Sequence, residues 1–252
     1  MPYLIIPLVS FLAGMTNAIA GGGTFFTFPA LTGLAGLTER AANITSTIGL
    51  WPGAAASVWS ARTELKRLPV RMAIAFSIIS VIGAIVGAVL LLVTPQRTFR
   101  LLVPWLLLFA TVIFGFSKPI ARWAGRQHGH RTMGWTIVVG GVQLLVAIYG
   151  GYFGAGIGIL MLAGLSFAGL DDIHQMNAMK VLLQTSINGI AAIIFLFSPD
   201  LNWSLALPMA AMSAVGGFLG IAVARKLPQN TLRAVILFIG VIVTALYFVK
   251  IY

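Results

Sequence analysis

Residues 13–31 read AGMTNAIAGGGTFFTFPAL, an apolar stretch with three consecutive glycines at its centre. Glycine is unfavourable inside an apolar helix unless the backbone breaks or approaches another backbone closely. The stretch has a counterpart 133 residues later, where Gly21 and Gly23 fall on Gly154 and Gly156. Two helix breaks at equivalent positions predict a functional site formed by two related halves.

The composition is typical of a membrane protein. Of the 252 residues, 59% are hydrophobic and only 8% are charged, and the mean hydropathy is +1.00, whereas soluble domains are about half apolar and a quarter charged. The net charge of +11 comes from short loops beside apolar runs, so it indicates orientation in a lipid bilayer and argues against nucleic-acid binding. Since the chain has no cysteine, disulfides and thiolate chemistry are excluded.

Apolar segments of very different length follow one another along the chain. About 20 apolar residues are needed to cross a bilayer core, so the first two segments of each half are expected to be partial, glycine-broken or re-entrant crossings. We therefore predict an all-α polytopic membrane protein with eight to ten helical segments. The ten segments are 2–20, 22–37, 40–60, 71–93, 99–117, 133–149, 151–169, 174–197, 203–224 and 231–250.

The two halves are predicted to be an internal duplication. The polar loop PQRTFR at residues 95–100 matches PQNTLR at 228–233 at the same offset of 133, and Asn43 matches Asn177 after a slip of one residue. Such matches indicate a repeat rather than chance identity between apolar segments. The predicted parts are a first transmembrane repeat (1–118), a basic cytoplasmic connector (119–132) and a second transmembrane repeat (133–252).

Loop charges predict how the repeats are oriented. Residues 62–71 carry four bases and one acid, and four more bases follow Phe116, which places both loops in the cytoplasm. The counterpart of the first loop, SPDLNW at 198–203, has no base. Equivalent loops on opposite sides predict inverted repeats, each with an odd number of crossings, and extracytoplasmic termini. Arg97 and Arg100 lie on the wrong side in this arrangement.

Polar side chains on the third segment of each half are the first candidates for substrate binding. Lys180 is a base well inside an apolar segment, at a cost of about 2.5–3.5 kcal/mol on insertion scales, so we expect it to face a cavity. A cation among amide and hydroxyl groups suits an anion. The alternative is that Lys180 snorkels to the interface while the amides join helices. The candidates are Asn43, Ser46 and Thr47 on one arc, and Asn177, Lys180, Gln184 and Asn188 within about 80° of one helix face.

Residues around the glycine breaks complete the candidate site. They are Asn17, Gly22, Gly23, Thr24 and Gly156, with a purely structural hinge as the alternative. All five acids lie at segment ends, so no carboxylate is placed to bind Na⁺ or relay protons. Asp171 and Asp172 are expected to cap a helix, and His128 and His130 to lie in a solvated loop. No catalytic constellation or nucleotide motif is present, which predicts neither an enzyme nor a cofactor or metal.

These motifs resemble those of the sulfite exporter TauE/SafE family of membrane permeases. The similarity covers NAIAGGGTFFTFPAL, the NITST segment, the basic loop, GGYFGAGIGILML and MNAMK, and so essentially the whole chain. It implies a plasma-membrane transporter of small sulfur-containing or organic anions, such as sulfite, sulfoacetate or related sulfonates. The family's glycine motifs fall on Gly21, Gly22 and Gly23 and on Gly154, Gly156 and Gly158, with Asn17, Asn43 and Asn177 beside them.

The resemblance leaves topology and mechanism open. Ala155 and Ile157 interrupt the second glycine motif, and the family is often drawn with about eight spans in two groups of four, an even count that would make the repeats parallel. A secondary transporter with alternating access is the first hypothesis, and an anion channel with the same basic site is the alternative. Proton coupling and a homo-oligomer are compatible with the sequence, although no placed acid supports coupling.

Overall fold

The computed structural model describes residues 2–125, 133–168, 170, 172–224 and 229–252, and these residues are helical without any strand. Long apolar runs fold as helices in a membrane, because a helix satisfies every backbone polar group within one segment. The helices are α1 (Pro2–Ala20), α2 (Thr24–Gly33), α3 (Glu39–Ser60), α4 (Arg62–Leu65), α5 (Val70–Val93), α6 (Gln96–Gly125), α7 (Met133–Tyr152), α8 (Ile157–Phe167), α9 (Ile173–Phe195), α10 (Trp203–Ala224) and α11 (Gln229–Ile251).

Each of the ten predicted segments corresponds to one helix, and the further helix, α4, is a single turn in the basic loop. Helices α2 and α8 have 10 and 11 residues, so they span only about half of the bilayer core. Helix α6 continues to Gly125, beyond the predicted start of the connector. Within the described ranges, five helices are long and apolar enough to cross a membrane, judged by length and composition, and they contain Val70–Val93, Gln96–Phe116, His174–Phe195, Trp203–Gly220 and Ala234–Ile251.

The order of helices repeats at the predicted offset. Helices α2, α5 and α6 begin at residues 24, 70 and 96, and α8, α10 and α11 begin 133 residues later, at 157, 203 and 229. Helix–helix contacts repeat with the halves exchanged. A Cβ added to Gly216 of α10 would clash with the Phe11 carbonyl of α1, and one added to Gly83 of α5 would meet the Leu144 carbonyl of α7 at 2.9 Å. The first helix of each half, α1 or α7, therefore packs against the third long helix of the other half, α10 or α5.

Equivalent helices of the two halves pack antiparallel where they meet. The hydroxyl oxygens of Thr111 in α6 and Thr244 in α11, which are 133 residues apart, lie 3.3 Å from each other. Earlier in α6 and later in α11, the Trp105 indole N–H donates to the Tyr252 hydroxyl at 3.2 Å. The contacts thus move toward lower residue numbers in α11 as they move toward higher numbers in α6.

Helices α3 and α9 show the same opposed direction. Near the start of α3, Arg40 forms an ion pair of 2.6 Å with Asp200, just after the end of α9. One-half of α3 further on, a Cβ added to Gly189 of α9 would lie 2.7 Å from the Trp51 indole nitrogen. Both antiparallel pairs join helices that occupy equivalent places in the two halves.

The interior is apolar and closely packed, and large hydrophobic side chains cover the outside. Phe28, at 0% exposure, packs edge-on against Phe153 and also against Tyr247, which joins α2 to the α7–α8 break and to α11. Many leucine, isoleucine and valine side chains of α5 and α11 are exposed. An apolar exterior over a packed core is what lipid contact requires.

Candidate functional site

In each half, a glycine with a left-handed backbone conformation follows the end of the first helix. Gly21 has φ +73° and Gly154 has φ +74°, a conformation that L side chains rarely adopt. The Gly21 N–H donates to the Thr16 and Asn17 carbonyls at 3.1 Å, and the chain then restarts as α2. The break therefore lies at Gly21 and Gly154, immediately before the candidate glycines.

The two breaks lie against each other. A Cβ on Gly21 would clash with the backbone of Gly158, the second residue of α8, and a Cβ on Gly156 would lie 3.4 Å from the ring of Phe25, the second residue of α2. The starts of α2 and α8 are thus neighbours inside the protein. Because the first N–H groups of a helix have no intrahelical acceptor and the dipole is positive there, this junction is electrostatically suited to an anion.

Asn17 stabilises the first break. Its side-chain oxygen accepts a hydrogen bond from the Gly23 N–H at 3.0 Å, and the residue is buried. Gly22 packs against the Ile236 side chain of α11 at 3.0 Å, measured from an added Cβ. Thr24, the first residue of α2, is partly exposed. Among the candidate residues of this stretch, Asn17 thus has a structural contact. The N–H groups of Gly22 and Thr24 lie before that of Phe25, which makes the first backbone hydrogen bond at the start of α2.

Lys180 reaches the end of α1 rather than the membrane interface. The side chain has 0% exposure. Its Nζ donates to the carbonyl oxygens of Asn17 at 3.4 Å, Ala18 at 3.0 Å and Ile19 at 3.3 Å. The last carbonyls of a helix lack intrahelical donors and carry the negative end of the helix dipole, so the ammonium satisfies them and is itself stabilised.

Asn43 makes the reciprocal contact at the second break. Its side-chain NH₂ donates to the Tyr152 carbonyl at 2.9 Å, and Tyr152 is the residue 133 positions after Ile19. Asn43 is only 1% exposed, and its side-chain oxygen has no hydrogen-bond partner among the described residues. The first helix of each half, α1 or α7, is therefore capped at its end by a side chain from the second long helix of the other half, α9 or α3.

The remaining polar candidates lie at different depths around this junction. Ser46 is buried and its hydroxyl lies 2.6 Å from that of Thr27 in α2. The Thr47 hydroxyl donates to the Asn43 carbonyl of its own helix at 2.9 Å. On α9, Gln184 and Asn188 are buried and Asn177 is partly exposed. Their role in substrate binding remains a prediction.

Some contacts of the site were missed by the sequence analysis. Thr27 follows Thr24 by one helical turn in the quoted stretch, a spacing that predicts a shared helix face. The Tyr152 carbonyl gives no sequence signal, because any residue supplies the same group. Gly158 belongs to the second glycine motif, and its contact with Gly21 depends on tertiary packing.

The predicted acidic cap of α9 is seen at Asp172. The Asp172 carboxylate accepts a hydrogen bond from the His174 N–H at 2.8 Å and caps α9, which confirms that prediction. Asp171, His128 and His130 lie outside the described residues. The described part of the chain contains no group of three potential metal ligands among its His, Cys, Asp and Glu residues.

Comparison with known proteins agrees with this architecture. A polytopic helical protein with two broken helices that meet in its interior has a design that occurs in membrane transporters. The family model for "Sulfite exporter TauE/SafE" matches residues 6–247. The chain belongs to this family of membrane transporters.

Several curated relatives cover most of the chain. A probable membrane transporter protein, ORF9, of Sinorhizobium sp. is 28% identical over 87% of this chain and 80% of its own length. One from Haemophilus influenzae is 27% identical over 96% of this chain and 92% of its own length. The probable membrane transporter protein YfcA of Escherichia coli K12 is 24% identical, over 96% and 87%. No solved structure matches the chain.

Proposed function

We propose that this membrane transporter moves small sulfur-containing or organic anions, such as sulfite, sulfoacetate or related sulfonates, across the plasma membrane as a secondary permease. The observation that carries the proposal is the complete burial of the Lys180 ammonium at the end of α1, just before the break at Gly21. The starts of α2 and α8 meet at this break, and a buried positive charge near helix starts favours an anion. The sulfur-containing substrate class comes from the printed family description.

The anion is proposed to bind where the starts of α2 and α8 meet. The Gly22 and Thr24 N–H groups lie before that of Phe25, which makes the first backbone hydrogen bond at the start of α2, to the Gly22 carbonyl. Gly156, the counterpart of Gly23, lies immediately before α8. Lys180 adds a full charge next to this junction, and charges interact strongly in an environment of low dielectric constant. Asn43 and Ser46 supply neutral polar groups from α3.

Alternating access is proposed to use inverted repeats. The antiparallel contacts of α6 with α11 and of α3 with α9 support a two-fold axis in the membrane plane, since both pairs join equivalent helices.

The experiment is anion flux in proteoliposomes with sulfite, sulfoacetate and a neutral analogue, with and without a pH gradient. The wild type is expected to give saturable flux of an anion. The flux of Lys180→Ala is expected to be at least about tenfold lower, which corresponds to a loss of 1.4 kcal/mol in binding or transition-state energy. Lys66→Ala is the matched control, since Lys66 is an exposed base of the loop that precedes α5.

Each outcome has a defined meaning. Equal flux in Lys180→Ala and Lys66→Ala would remove Lys180 from the site. Flux that does not saturate and follows only the membrane potential would favour the anion channel. A wild type that transports none of these anions would overturn the proposed substrate class, and a response to the pH gradient would add proton coupling.

A further inference from the structure

The end of α1 has the geometry of a binding site for a monovalent cation. Three consecutive carbonyl oxygens, those of Asn17, Ala18 and Ile19, lie 3.0 to 3.4 Å from one nitrogen atom. In transporters with broken helices, carbonyls at the ends of half-helices coordinate Na⁺. Here the position is filled by an ammonium group, which has three donors for three acceptors.

We propose that the carbonyls ending α1 form a cation site that the chain fills with its own Lys180 ammonium. The bound cation is thus covalently attached to α9 and cannot dissociate. It follows that transport needs no bound Na⁺, and that removal of the Lys180 side chain creates a vacant site for a small primary ammonium ion or an alkali cation.

The charge environment supports this assignment. The ammonium contacts carbonyl oxygens only, in the contacts seen for the described residues, and Lys180 has 0% exposure. A charge so deeply buried needs compensation. The end of α1 provides it through three aligned carbonyl dipoles and the negative end of the helix dipole.

The second half provides an internal comparison. The equivalent end of α7, at Tyr152, is bound by the neutral amide of Asn43, and the residue equivalent to Lys180, at the offset that aligns Asn43 with Asn177, is Ser46. The helix end of α7 is therefore satisfied without a charge. The carbonyl groups at a helix end therefore do not by themselves require a cation. The ammonium at the end of α1 distinguishes the first break from the second.

The test uses purified Lys180→Ala and measures its thermal unfolding midpoint by tryptophan fluorescence. Ethylammonium, Na⁺ and tetramethylammonium are titrated at constant ionic strength, and tetramethylammonium serves as the control cation because it has no N–H donor. Ethylammonium is expected to raise the midpoint in Lys180→Ala and to leave the wild type unchanged, because a ligand that binds only the folded state stabilises it by an amount that rises with the logarithm of its concentration above the Kd.

A second variant and a wild-type measurement keep the proposal testable if Lys180→Ala does not fold. Lys180→Gln keeps N–H donors without the charge. The same titration is expected to raise its unfolding midpoint less than that of Lys180→Ala, or not at all, and Na⁺ is expected to have a weaker effect than ethylammonium. In wild-type proteoliposomes, replacement of all Na⁺ by N-methylglucamine is expected to leave anion flux unchanged. Flux that requires Na⁺, or a folded Lys180→Ala that responds to ethylammonium no more than to tetramethylammonium, overturns the proposal.

The flux measurement rests on the proposed function, whereas the unfolding measurement rests only on the geometry at α1. The two failures are therefore distinguishable. Stabilisation of Lys180→Ala by ethylammonium without any wild-type anion flux would keep the cation site and reject the substrate proposal. Wild-type flux without such stabilisation would do the reverse.

Discussion

Asn43 joins the two halves through one buried hydrogen bond, to the Tyr152 carbonyl that ends α7. Asn43→Ala leaves this carbonyl without a donor inside the protein, at a cost of about 1–3 kcal/mol. We expect a lower thermal unfolding midpoint and a smaller loss of anion flux than in Lys180→Ala, because no charge is removed. Tryptophan fluorescence and proteoliposome flux measure the two effects.

Thr47→Ala is the control for this variant. Thr47 lies one turn from Asn43 on the same helix, and its hydroxyl donates to the Asn43 carbonyl. Its removal leaves the backbone bonds of α3 intact, so stability is expected to change by less than about 0.5 kcal/mol. If Thr47→Ala and Asn43→Ala destabilise equally, the contact with Tyr152 contributes nothing specific.

The identities of the polar residues could be predicted from the sequence, but their partners could not. Lys180 stands out because a base inside an apolar segment is costly, and the structure places it in the interior. Its partners are the carbonyls of Asn17, Ala18 and Ile19. Backbone groups are the same in every residue, so nothing in the letters of α1 marks the helix end that Lys180 contacts.

At the scale of helices, the two glycine breaks are equivalent in backbone but differ in their surroundings. A Cβ on Gly21 would clash with Gly158, whereas one on Gly154 would meet only the Gly150 carbonyl region, at 3.1 Å. Gly21→Ala and Gly154→Ala are each expected to lose about 1–2 kcal/mol of stability because alanine disfavours the left-handed backbone. In Gly21→Ala, overpacking against Gly158 costs about 1–3 kcal/mol more. We expect Gly21→Ala to be the more destabilised, as measured by chemical or thermal unfolding.

Gly33→Ala provides the matched control for the breaks. Gly33 ends α2, and an added Cβ meets nothing within 4 Å. Alanine also has a higher helix propensity than glycine, by about 1 kcal/mol. Gly33→Ala is therefore expected to be neutral or slightly stabilising. A Gly154→Ala variant as unstable as Gly21→Ala would argue against a direct contact between the two breaks.

Helix bounds were predictable where hydrophobicity begins and ends abruptly. The segments predicted at 2–20 and 203–224 agree with α1 and α10. The prediction was less accurate at the second break, where the segment was predicted to end at residue 149 because glycines are common at helix ends. Helix α7 instead includes Gly150 and Gly151 and ends at Tyr152. Neither glycine has a positive φ, so composition alone does not locate the break.

At the scale of the whole molecule, the exchanged contacts are those that a duplication predicts. Two glycines that match at the offset of 133 lie where helices cross: Gly83 of α5 packs against α7, and Gly216 of α10 packs against α1. A repeat in the sequence was therefore also a prediction of interhelical packing. The direction of each helix cannot be read from such matches, and it becomes visible only in contacts such as Thr111 with Thr244.

Inverted repeats predict that equivalent loops face opposite sides of the membrane. Lys66 lies in the basic loop before α5, and Pro199, 133 residues later, lies in the loop before α10; both are exposed. Because the chain has no cysteine, single Lys66→Cys and Pro199→Cys variants report on one position each. A membrane-impermeant thiol reagent added to intact cells is expected to label Pro199→Cys and not Lys66→Cys.

Permeabilised cells provide the control, since both cysteines should then react. Labelling of both variants from the same side in intact cells would make the repeats parallel, with an even number of crossings in each. That result would also remove the two-fold axis in the membrane plane on which alternating access depends. The opposite pattern to the expected one, with only Lys66→Cys labelled, would keep the inverted repeats but reverse the orientation predicted from the loop charges.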